Sequence, residues 1–257
     1  MIHDGETRGG VQSNAPYGAP GESRVPLVLL PGLDGTGRLF APLIERLPAW
    51  LEPWVIGYPA DRMLGYDQLV RYVSERLPDR PYVLLGESFS GPVAIRIATE
   101  SAVPPLRLIL AASFPRQPLP RFAARLLHPL VRPTLFRMFP FALIGRMLLG
   151  PKAPASLARE LRAAIASVDH AVMAHRTRSV LRVDVRPALG GSTIPILYLA
   201  ATHDPVVGKR GLREVLRCRP DAAIVRIDAP HLVLQREPEA AARAIERFLP
   251  PLLPGRP

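Results

Sequence analysis

The sequence predicts an α/β fold, with a mostly parallel central sheet of about six strands and helices on both faces. Three observations predict it. Short apolar runs each end in a turn, as buried parallel strands do. Stretches with helical spacing lie between those runs. The 257 residues, 48% of them hydrophobic, suffice for one domain with a sizeable core.

Taken in order, the expected strands are VPLVLLPG (Val25–Gly32), PWVIGYP (Pro53–Pro59), YVLLGES (Tyr82–Ser88), LRLILAAS (Leu106–Ser113), IPILYLAAT (Ile194–Thr202) and AAIVRIDAP (Ala222–Pro230). Expected helices cover Leu39–Leu47, Tyr66–Leu77, Pro92–Ser101, Gly208–Arg217 and Pro238–Leu249. In the second of these, Leu69, Val70, Val73 and Leu77 share one face. Between Pro115 and Gly190 the rhythm breaks. Helices are expected there over Phe122–Val131, Thr134–Phe139, Ala142–Leu149 and Ala155–Ser179, punctuated by prolines. The division that follows is a flexible tail over 1–24, a core over 25–114 and 191–250, a helical insertion over 115–190, and a C-terminal tail over 251–257. The tail up to Ser23 is polar and lacks the apolar stretch of a secretory signal, which points to a cytoplasmic protein. No apolar run approaches the roughly 18–20 residues of a membrane span.

The net charge is +11, and nearly all of it lies in the insertion. Residues 115–190 carry twelve Arg and one Lys against Glu160, Asp169 and Asp184. A GC-rich genome would explain Arg replacing Lys, but not the shortage of acids. The single Cys218 excludes an internal disulfide and a cysteine metal cluster, and reads as a small residue near a helix end.

Chemistry concentrates at VLLGESFSGP, Val83–Pro92. An apolar strand stops at Ser88, and a helix follows. A sharp strand-to-helix turn at this point needs small residues on either side, and Gly86 and Ser90 fit. The turn lifts the hydroxyl to the carboxyl edge of the sheet, against a helix N-terminus. A serine needs a general base, and the base needs an orienting acid. His231 follows the last strand and Asp204 follows the fifth, so both reach that edge. His3, His128, His170, His175 and His203 are the other histidines, and Asp228 is a rival acid set too near His231 along one strand. Oxyanion donors are expected from the N–H of Phe89 and from that of Leu33, in the loop LLPGLDGTGRLF. That loop lacks the lysine and threonine of a phosphate loop and the spacing of a dinucleotide motif. No cofactor or metal is expected. Asp34 reads as a turn residue.

The motifs PGLDGTG, GESFSG, HDPVV and APHLVLQ, in this order, resemble the α/β-hydrolase superfamily over Val25–Leu249, and in particular small bacterial serine esterases with an LPGLDGTG loop. The resemblance implies a Ser-His-Asp hydrolase without cofactor. Two departures stand out. Ser90 replaces the usual glycine, and Pro31 stands where many relatives have His. The N-terminus is also short for the two antiparallel strands that often begin this fold.

The expected function is ester hydrolysis through an acyl-enzyme. Acyl-thioester cleavage or acyl transfer is the alternative, and a non-catalytic binding scaffold the third reading. The insertion is expected to act as a lid over Ser88. It mixes Phe122, Leu126, Leu130, Phe136, Met138 and Phe139 with arginines. Two readings of its charge stay open: a solvated face, or a surface for an anionic substrate, an acyl carrier or a membrane. It has no groove-binding motif, which argues against nucleic acid.

Overall fold

A computed structural model describes residues 24–138 and 140–249. The expectations for the two tails, and for Phe139, fall outside the described residues or largely so. Six strands are present: β1 (Val25–Leu30), β2 (Leu51–Val55), β3 (Val83–Glu87), β4 (Arg107–Ala111), β5 (Ile196–Ala201) and β6 (Ala223–Ile227). They form one sheet in the order β2-β1-β3-β4-β5-β6, and every neighbouring pair is parallel. All the loops that leave strand carboxyl ends therefore meet along one edge.

Among the described residues, twelve α-helices connect or cover the strands: α1 (Ala41–Ile44), α2 (Tyr66–Ser74), α3 (Gly91–Glu100), α4 (Arg121–Leu127), α5 (Pro133–Met138), α6 (Phe141–Leu149), α7 (Ala155–Ala166), α8 (His170–Val180), α9 (Arg186–Gly191), α10 (Gly208–Cys218), α11 (Val233–Arg236) and α12 (Pro238–Phe248). Alternation along β1 shows how the sheet divides two cores. Val28 and Leu30 face α2, α3, α9 and α10, while Leu27 and Leu29 face α1, α11 and α12. On α12, Ala241, Ala244 and Ile245 form the buried stripe. Alanine lets that helix lie close, and burying Ile245 contributes about 2 kcal/mol.

Several boundaries differ from those expected. β2 starts two residues earlier than Pro53 and ends at Val55. It is an edge strand, so Pro53 can occupy it without forfeiting a ladder bond on the open side. The helix expected over Ala155–Ser179 is two helices. Asp169 interrupts it by capping α8, its carboxylate accepting from the Ala171 N–H at 2.7 Å. Helices α9 and α11 are too short for periodicity to reveal.

The inserted segment leaves and re-enters the core through a laced neck. The Gln117 N–H donates to the Val183 carbonyl at 3.1 Å, and the Val185 N–H donates to the Pro115 carbonyl at 2.7 Å. Helix α9, within the span expected as insertion, packs on the core through Leu189. Helices α5, α6, α7 and α8 dock on the strand-end loops. Met173 of α8 and Phe136 of α5 cluster with Leu33. Leu149 and Leu161 cluster with Leu39 and Leu232.

Candidate active site

Ser88 follows β3 and begins a short 3-10 turn, Ser88–Ser90, that runs into α3. Its φ is 47°, a left-handed conformation that costs a non-glycine residue of order 1–3 kcal/mol. Neighbouring packing holds the strain. A Cβ on Gly86 would lie 2.8 Å from that of Ala94 and 2.9 Å from the Ser90 carbonyl, so only glycine fits. Ser113 Oγ donates to the Ser88 carbonyl at 2.6 Å, and the Tyr198 hydroxyl donates to the Ser113 carbonyl at 2.7 Å.

His231 Nε2 lies 2.8 Å from Ser88 Oγ, and His231 Nδ1 lies 2.9 Å from Asp204 Oδ2. A carboxylate only accepts, so Nδ1 carries the proton and Nε2 is free to accept from the serine. The other carboxylate oxygen of Asp204 accepts from the N–H groups of Val206 (2.7 Å) and Val207 (3.0 Å), which fixes its orientation. Burial pushes the Asp204 carboxyl up. The His231 hydrogen bond and charge, with the two N–H groups, outweigh this and hold it below the usual carboxylate range. His203 and Asp228, the rivals, pair with each other at 2.7 Å on the exposed surface. His170 is exposed, whereas His128 and His175 are half-buried; all three lie in the inserted segment. His3 lies outside the described residues.

Of the two expected oxyanion donors, Leu33 lies in the loop after β1 and Phe89 directly follows Ser88. Neither the Leu33 nor the Phe89 N–H donates to another protein group among the described residues. A turn shapes the first loop, in which the Gly35 N–H donates to the Gly32 carbonyl at 3.0 Å. Asp34 is its turn residue, with Oδ1 accepting from the N–H and hydroxyl of Thr36.

Arg176 of α8 was not among the expected site residues, yet it holds this loop. Its guanidinium is buried and donates to the carbonyls of Leu33 (2.9 Å), Asp34 (2.7 Å) and Pro59 (2.9 Å). Gly35, at φ 72°, makes room, because a Cβ there would sit 2.5 Å from Arg176 Nη1. Burial pushes the guanidinium below its ordinary value, opposed by Tyr58 and Asp34. A signal existed in the sequence. Val172, Arg176 and Val180 are spaced by four residues, so the arginine falls on the apolar stripe of its helix.

Ser90, the departure from glycine, has a structural use. Its hydroxyl donates to the Pro31 carbonyl and meets the Tyr58 hydroxyl at 2.6 Å. With its single proton committed to Pro31, Ser90 accepts from Tyr58. The turn at Ser88 is thereby tied to the loop after β1, through a carbonyl at the other departing position.

Glu87 precedes Ser88 and is buried. Burial pushes its carboxyl up to about 7, with the Asp34 charge adding to the rise and the His231 charge opposing it. Glu87 Oε1 and both amide atoms of Gln235 lack hydrogen-bond partners among the described residues. A carboxyl raised on folding contributes stability that is present below its unfolded value and is lost as pH rises through about 7. Glu87→Gln is therefore expected to match the wild type near pH 4.5 and to exceed it at pH 8, by on the order of 3 kcal/mol. Denaturant melts at the two pH values check this, and a difference independent of pH contradicts it.

Cys218 ends α10, half-buried. No group of three or more His, Cys, Asp or Glu among the described residues is arranged to hold a metal. A cleft of about 660 Å³ between β6 and α12 shares no residue with this site.

No protein-family model matches the chain. Over 112 residues it is 32% identical to phytyl ester synthase 1, a chloroplast protein of Arabidopsis thaliana. That match covers 40% of this chain and only 16% of the plant protein. Among solved structures, an enol-lactonase from Burkholderia xenovorans superimposes with a TM-score of 0.69 at 22% identity, over 91% of this chain and 94% of that one. An esterase from Exiguobacterium antarcticum gives 0.74 at 16% identity, over 89% and 92%. The chain has the α/β-hydrolase fold.

Proposed function

We propose that this α/β-hydrolase-fold protein is a serine hydrolase that cleaves carboxylic esters through an acyl-enzyme. The observation that carries the reading is the unbroken relay from Ser88 Oγ through the His231 ring to Asp204. Ser88 attacks the acyl carbonyl as His231 Nε2 takes its proton. The tetrahedral oxyanion accepts from the Leu33 and Phe89 N–H groups. His231 returns the proton to the departing alkoxide, and the alcohol leaves. Water, deprotonated by His231, then attacks the acyl-serine; collapse releases the acid and restores Ser88. Asp204 holds the ring in register and stabilises the imidazolium.

In this reading the inserted helices form the lid and the wall of the acyl pocket. The contacts of Met173 with Leu33, and the hydrogen bond from the Leu232 N–H to the Leu148 carbonyl at 3.0 Å, support that role. The substrate is a small acyl ester or thioester.

The reading is tested by hydrolysis of p-nitrophenyl esters of increasing chain length, by wild type and Ser88→Ala together. Turnover that depends on Ser88 is expected, with a chain-length optimum set by the depth of the pocket. Turnover that survives in Ser88→Ala contradicts the mechanism. A folded protein without turnover at any length shifts weight to thioester substrates or to the binding-scaffold reading.

A second reading, acyl transfer to an alcohol, is favoured by the similarity to a plant protein named as an ester synthase. It uses the same acyl-enzyme, with an alcohol replacing water. Product analysis with a long-chain alcohol present decides between them: new ester supports transfer, and free acid alone supports hydrolysis.

A further inference from the structure

We propose that α4, the 3-10 turn that follows it, α5 and α6 form a docking face for anionic phospholipid membranes. The inference is independent of the triad. These helices expose large apolar side chains that a soluble surface seldom shows together. Relative exposure is 77% at Phe122, 69% at Leu126, 61% at Leu130 and 81% at Met138. On α4 and its continuation, Phe122, Leu126 and Leu130 repeat every four residues and form one stripe.

Beside that stripe runs a basic one. Arg121, Arg125 and His128 line a cleft of about 470 Å³ with Arg182. Arg121, Arg125, Arg132, Arg137 and Arg146 are exposed, and none forms an ion pair among the described residues. The chain has no Asp or Glu between Glu100 and Glu160. Arginines alongside protruding apolar side chains are what an interfacial helix uses, with guanidinium at lipid phosphates and rings among the acyl chains.

Other occupants fit less well. A second copy would bring the same positive face against this one. An acidic protein would pair with the arginines but leave Phe122, Leu126 and Met138 in water, whereas an anionic lipid surface takes up both. No helix of the described residues is long and apolar enough to cross a membrane, so attachment is to the surface. The face also adjoins the loop of His231, since the Arg236 guanidinium donates to the Leu149 carbonyl at 2.6 Å at the end of α6.

The test is co-sedimentation of the full chain with phosphatidylcholine vesicles, with and without phosphatidylglycerol. Binding is expected only when phosphatidylglycerol is present, and is expected to weaken as salt rises. Arg121→Gln/Arg125→Gln/Arg132→Gln is expected to weaken it roughly a hundredfold. Phe122→Ser/Leu126→Ser/Met138→Ser is expected to weaken it even at low salt. Both variants should keep the wild-type melting temperature. No binding to either vesicle overturns the proposal and leaves the hydrolase reading untouched. So does equal binding to both, or binding that the charge variant retains, or capture by an acidic acyl carrier protein without vesicle binding.

Discussion

Ser88→Ala and His231→Ala are each expected to lower kcat/KM for an ester by roughly 10⁴- to 10⁶-fold, and the double variant to be no worse than either. The reason lies in the relay. Without His231, Ser88 Oγ has no acceptor for its proton, and the hydroxyl is a weak nucleophile at neutral pH. Without Ser88, the base has nothing to activate except water. Asp204→Asn acts one step back. It leaves the ring a neutral partner in place of a carboxylate and favours the wrong tautomer, so a loss of about 10⁴ is expected. Steady-state kinetics of the four proteins check this, and multiplicative losses in the double variant would mean that Ser88 and His231 do not act as one unit.

Arg176→Met is expected to have the next largest effect. It removes the donor shared by the Leu33, Asp34 and Pro59 carbonyls. Buried carbonyls left unpaired cost about 1–3 kcal/mol each, so a loss of about 3–5 kcal/mol in stability is expected. The same change frees the loop that presents the Leu33 N–H. An oxyanion donor out of place costs roughly 10²- to 10³-fold in kcat, because it acts on the transition state and not on the bound ester. KM should change little. Arg176→Lys keeps the charge without the planar fork and should fall between the two. If kcat per titrated site equals that of the wild type, Arg176 supports the fold and does not position the oxyanion loop.

The six strands and the sharp turn at Ser88 were legible because local chemistry determines them. Apolar runs such as Val25–Leu30 can only be buried strands at that length, and parallel pairing brings their loops to one edge. That edge narrows the candidates: Ser88 follows β3, Asp204 follows β5 and His231 follows β6, with His203 and Asp228 as rivals at the same strand ends. Tertiary contacts hid the rest. Arg176 looked like one more arginine of a basic segment, and its role depends on a loop about 140 residues earlier in the chain. Ser90 looked like a tolerated substitution for glycine, while its hydroxyl in fact bridges to Pro31. The break at Asp169 was a capping signal within a helical periodicity, and the periodicity masked it.

The most direct test is reaction of the protein with a fluorophosphonate, followed by peptide mass spectrometry. Such a reagent phosphonylates an activated serine with loss of fluoride, and so reports the nucleophile without knowledge of the natural ester. The account predicts one adduct per chain, on Ser88, absent in Ser88→Ala and much slower in His231→Ala. An adduct on another serine, or ester turnover that persists with Ser88 unlabelled, would contradict it.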